Sequence, residues 1–147
     1  MDDHPPPHAL HDTFNPRFVY RALPYDDLLN RTGKHRDNTF FRHLTRDTHG
    51  MSVTTSIASC KAQFDRPIFG IRRVDVAAVR QYGLEVFPTS PTHANIRFAN
   101  GTNVPATRED DTLARDIAAA LMRMSVPIEH WNADDADEIE AAYLNGL

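Results

Sequence analysis

The chain is predicted to adopt an α+β fold: a small β-sheet flanked by short helices and closed by a C-terminal helical tail. Three observations predict it. Short runs rich in β-branched and aromatic residues recur between positions 18 and 98, the composition of strands. One of them, Met51 to Thr55, runs through a hydroxyl cluster straight into a helical stretch carrying Ile57, Cys60, Ala62 and Phe64. Beyond Thr107 the apolar spacing becomes helical and stays so to the end of the chain.

Residues 1–16 hold Pro5, Pro6, Pro7 and Pro16 with His4, His8 and His11 between them. So little apolar surface predicts an extended or disordered arm. The domain proper is expected over 17–126. Phe18 to Leu23 is the first strand, stopped by Pro24. Asp26 to Asn30 reads as a turn or two of helix. A long basic connection follows, Lys34 to His49, interrupted by Phe40, Phe41 and Leu44.

Met51 to Thr55 is the second strand, and Ser56 is placed to cap the helix after it. Ile68 to Val74 reads as a third strand. Asp75 then caps a helix over 76–82, with Gly83 where a helix stop wants glycine. Leu84 to Phe87 and Ala94 to Phe98 are two further strands, the latter strictly alternating. Asn100-Gly101-Thr102-Asn103 is a turn.

Thr107 caps the longest helix, whose first turn holds Glu109, Asp110 and Asp111, the sign the helix dipole favours. Its apolar face is expected at Leu113, Ile117, Ala120, Leu121 and Met124, and Pro127 ends it. Residues 127–147 form an acidic tail, with a helix from about Ala133 to Leu144 capped by Asn132. Trp131 and Tyr143 are expected to anchor it to the body.

With 147 residues and 41% hydrophobic content, the chain is one domain's worth of material. No apolar run approaches the roughly 20 residues that cross a bilayer. The acidic, proline-rich start is unlike a signal peptide, so no membrane association and a cytoplasmic location are expected. The single cysteine, Cys60, excludes an internal disulfide, and its place in an amphipathic helix favours a buried structural thiol over a nucleophile. The 8 histidines suggest no metal site, because His4 and His8, spaced four apart, fall in the proline-rich arm rather than on a regular element.

The net charge of −4 conceals a polarity. Residues 17–80 carry 12 Arg and Lys against 6 Asp, whereas 81–147 carry 4 Arg against 11 Asp and Glu. A basic first half suits a phosphate-bearing partner, and two solvated faces of opposite sign explain it equally well. Within it, Arg36, Arg42, His43, Arg46 and His49 around Phe40 and Phe41 suit nucleic acid, or form a loop pinned by two phenylalanines.

The order of the motifs resembles the ADP-ribosyltransferase superfamily. Tyr20-Arg21 resembles its aromatic-plus-arginine strand. Thr54-Thr55-Ser56, followed by Ala62 and Phe64, resembles its hydroxyl triplet and helix, and Ile68 to Val74 its next strand. The likeness spans about residues 18–98. It implies a split sheet and NAD as the nucleotide bound. Arg21, with Tyr20 and Arg36, would hold the phosphates, and Thr54, Thr55 and Ser56 would shape the nicotinamide-ribose pocket.

The superfamily's acidic residue on a late strand is missing, since Pro91 to Ile96 holds no glutamate and Glu85 lies one strand earlier. His93 stands in its place. A neutral imidazole can accept a ribose hydroxyl and move a proton, but it supplies no permanent negative charge. The catalytic candidates are therefore Arg21 and His93. The implied function is NAD cleavage or ADP-ribosyl transfer, as in small bacterial toxins and conflict-system effectors. The alternative is a non-catalytic module of the same fold. It would engage a protein through the acidic C-terminal helices, or nucleic acid through the basic 34–49 segment.

Overall fold

The computed structural model describes residues 16–23, 40, 51–63, 67–102, 104 and 112–146. Its frame is a six-stranded antiparallel sheet: β1 (Phe18–Ala22), β2 (Met51–Thr54), β3 (Ile71–Asp75), β4 (Leu84–Ser90), β5 (His93–Phe98) and β6 (Val126–Pro127). Across the sheet the order is β4-β5-β2-β1-β3-β6. The helices described are α1 (Ile57–Ala62), α2 (Val76–Gln81), α3 (Thr112–Met124) and α4 (Ala136–Gly146).

Both faces of the central strands are covered. Val19 belongs to a large apolar cluster with Met51, Val53, Leu84, Val86, Ala94, Ile96 and α3's Ile117, Ala118 and Leu121. The next residue, Tyr20, falls with Ala22 in a second cluster built from Ile57, Cys60, Ile71, Ile128 and Ala136. The two-residue period of a strand sends successive side chains to opposite faces. α3 therefore packs on one face, and α1 and α4 pack on the other. Apart from Arg21, β1 carries apolar and aromatic residues, because both its faces are buried.

Local chemistry sets the boundaries. Asp75 caps α2, its carboxylate accepting from Ala77 and Ala78 at 2.8 and 3.3 Å. Gly83 takes φ +74° directly after that helix, a conformation that costs glycine little. β4 runs on through Pro88, which an edge strand tolerates, with a register shift between Pro88 and Ser90. At the other edge Pro127 pairs with Arg72.

Several expectations are corrected. The third strand starts at Ile71 rather than Ile68, because the β1 ladder becomes irregular there: the Leu23 N–H donates to the Gly70 carbonyl at 2.9 Å, while the Leu23 carbonyl accepts from Phe69, one residue beyond, at 2.8 Å. On α3 the expected Ile117, Ala120 and Leu121 are buried and Met124 packs partly buried against the first cluster, but Leu113 is 54% exposed. Ala114, Ala118 and Met122 are buried as well, which widens the packed face beyond the one expected. Pro127 does not merely end a helix but belongs to β6. The tail helix begins at Ala136, after a series of turns from Glu129.

Instead of two half-sheets there is one sheet, although β1 and β2 share a single register pair, Tyr20 with Thr54. Trp131 packs against the second cluster as expected. Arg36, most of the basic connection, residues 1–15, the Thr107 cap and the Tyr143 side chain lie outside the described residues. Phe40 is fully buried in the first cluster. Among the described residues no helix is long and apolar enough to cross a membrane.

Candidate functional site

The antiparallel register assembles the candidate residues. Thr54 lies opposite His93 across β2 and β5, and opposite Tyr20 across β2 and β1. The Thr55 N–H donates to the Thr92 carbonyl at 3.1 Å, fixing the end of β2 against the β4–β5 turn. Arg21, 4% exposed, donates from Nη1 to the Ser52 carbonyl at 2.9 Å. Arg21 and His93 thus meet at one residue between them, Ser52.

The Ser52 hydroxyl lies 2.5 Å from His93 Nε2 and accepts from Gln63 Nε2 at 2.6 Å. On the far side of the ring, His93 Nδ1 lies 2.5 Å from Thr89 Oγ1. The Thr89 hydroxyl itself donates to the His93 carbonyl at 3.3 Å. The roles of the two ring nitrogens follow the tautomer: with Nδ1 protonated, Thr89 Oγ1 accepts from Nδ1–H and Nε2 accepts from the Ser52 hydroxyl. Burial first, then the charge of Arg21, lowers the His93 pKa and keeps the ring neutral.

The hydroxyl triplet behaves differently. Thr54 is buried, and its Oγ1 donates to the Ser56 carbonyl at 3.1 Å. Ser56 caps α1, accepting from the Ser59 N–H at 3.0 Å while donating to Ser59 Oγ at 3.0 Å. The N–H groups of Ile57 and Ala58 are taken by the Asp137 carboxylate from α4, at 2.9 to 3.2 Å. The start of α1 is therefore served by the chain's own side chains. Ser56 caps the helix as expected.

Tyr20 lies in the second cluster, near Glu140 of α4. Burial, followed by the nearby Glu140, pushes its phenol up to about 12. Glu140, itself buried, pairs with Arg73 at 2.5 Å, and the Arg73 guanidinium lies 4.4 Å from the Phe18 ring centre. Cys60 is fully buried and its thiol is pushed up to about 11, mainly by burial, which makes it a structural residue. Glu85 is bound to Arg80 at 2.8 Å and stands apart from His93. Among the described residues no group of three His, Cys, Asp or Glu is placed to hold a metal. A shallow cavity of about 310 Å³ is lined by Pro16, Arg17, Asp75, Val76, Ala77 and Arg80 and includes none of the candidate residues.

Sequence reasoning missed Ser52, Gln63, Thr89 and Asp137. Period-two alternation places Ser52 on the face of Thr54, which was the available signal for it. Comparison with known proteins gives no match: no family model, no curated protein and no solved structure.

Proposed function

We propose that this chain binds NAD and acts as an ADP-ribosyltransferase-like protein, cleaving the nicotinamide–ribose bond or transferring the ADP-ribosyl group. The observation that carries the reading is the meeting of Arg21, Ser52 and His93. They are separated by 31 and 41 residues and joined by hydrogen bonds across three adjacent strands. In this reading the Arg21 charge favours the diphosphate. Neutral His93 accepts a proton from the hydroxyl that attacks the anomeric carbon. Departing nicotinamide is a good leaving group because it leaves the pyridinium as a neutral base.

Nicotinamide release from NAD by purified protein tests it. Release is expected from the wild type, and Arg21→Ala and His93→Ala are each expected to lower it by about 10²-fold or more, the usual worth of a positioned acid or base. Neither binding nor release, or an Arg21→Ala variant equal to wild type, overturns the enzyme reading.

A second reading, the non-catalytic binding module, is favoured by Asp137, whose carboxylate occupies the α1 donors that an anionic ligand would use. Its protein partner would meet the acidic α4, and a nucleic acid would meet the basic 34–49 segment. NAD binding without release supports it. So does a nucleic-acid complex whose affinity falls steeply with salt.

A further inference from the structure

We propose that Ser52 is the nucleophile of this site, its hydroxyl activated by His93, and that it becomes covalently ADP-ribosylated. The inference rests on the NAD reading for its electrophile, whereas the activation of Ser52 stands on geometry alone.

Two side chains meet the serine hydroxyl, and a third holds one of them. His93 Nε2 lies 2.5 Å from Oγ, and in the tautomer protonated at Nδ1 it is the acceptor of the serine proton. Thr89 Oγ1 lies 2.5 Å from the opposite nitrogen and orients the ring. Gln63 donates to Oγ at 2.6 Å, which turns the hydroxyl proton toward the imidazole. A nucleophile in reach of a base, with the base oriented by a third group, is the arrangement of activated serines. Unlike Thr54, Ser52 is only half-buried, and Gln63 and Thr89 lie at the surface, so a substrate can approach. An internal serine in a strand needs none of this apparatus.

The step balances. Ser52 Oγ forms a bond to the anomeric carbon of the nicotinamide-bearing ribose as the carbon–nitrogen bond breaks. That electron pair stays with the ring nitrogen, releasing neutral nicotinamide. The serine proton passes to His93 Nε2 and then to water. Retaining glycoside hydrolysis passes through a similar covalent ribosyl-type adduct on a carboxylate. An alcohol is a far poorer leaving group than a carboxylate, so the adduct on Ser52 persists as a stable self-modification.

Two measurements on the full chain test this. A fluorophosphonate probe, which reports activated serines without reference to NAD, is expected to label wild-type protein at Ser52. Labelling should drop at least tenfold in Ser52→Ala and in His93→Asn. Intact-mass analysis after incubation with NAD is expected to show one added ADP-ribosyl group, assigned to Ser52 by peptide fragmentation and absent from Ser52→Ala.

No labelling and no adduct overturn the proposal even if nicotinamide is released, and the NAD reading then survives without Ser52. Labelling of Ser52 unchanged in His93→Asn overturns the activation by His93. Labelling that depends on both residues, without nicotinamide release, upholds the activated serine and removes NAD as its electrophile.

Discussion

His93 is a ring pinned between two hydroxyls and biased by its surroundings toward the neutral form. The ordinary histidine pKa is 6.5, and here burial and Arg21 lower it. The sign is definite: between the lowered value and 6.5 the unfolded chain binds more protons than the folded one, so stability rises with pH across that window and levels off above it. The same shift keeps a base available in mild acid. The acid limb of the single-turnover rate of nicotinamide release is therefore expected below 6.5, and Arg21→Gln, by removing the nearby cation, moves it upward. A pH–rate profile of both proteins checks this, and a limb unaffected by Arg21→Gln would separate the two residues. Arg21 and His93 were candidates from their place in the motif order. Alternation puts Ser52 on the face of Thr54, but its contact with His93 depends on the β2–β5 register, which local pattern does not encode.

At the scale of elements, α4 is held by two carboxylates on one side of the helix, Asp137 to the start of α1 and Glu140 to Arg73 of the sheet. Asp137 works as an outside cap for α1, so Asp137→Ala is expected to cost about 1 kcal/mol, as loss of a helix cap does. Glu140 is different because its partner Arg73 is nearly as buried, at 6% and 12% side-chain exposure. Glu140→Ala removes this charged hydrogen bond and is expected to cost roughly 1.5–3 kcal/mol. Denaturant unfolding of the two variants checks the order, with Glu140→Ala the more damaging. Caps and stops such as Ser56, Asp75 and Gly83 were readable because their chemistry is local. The exposure of Leu113 and the burial of Ala114 and Ala118 on α3 were not, because these follow from what the helix packs on rather than from residue size.

Over the whole molecule, the strand order decides what the chain can do. β5 inserts beside β2, and β2 lies beside β1, so the first, second and fifth strands form one continuous surface. Composition and periodicity gave the α+β class and most strand positions, since both depend on nearest neighbours in sequence. The order of strands depends on which long-range pairs bury the most apolar surface. For that reason the convergence of Arg21, Ser52 and His93 emerges only in three dimensions. The tail joins the same assembly, with Val126 and Pro127 extending the sheet and Asp137 reaching the start of α1. The account's central claim is that these strands present one NAD-binding surface centred on His93. Its most direct test is an NMR titration of the full chain with NAD, observing the histidine ring nitrogens and assigning His93 by comparison with His93→Asn. The account predicts a saturable shift of the His93 resonances with those of His130 unmoved. An unchanged His93 ring at NAD concentrations that saturate any observed binding would contradict it.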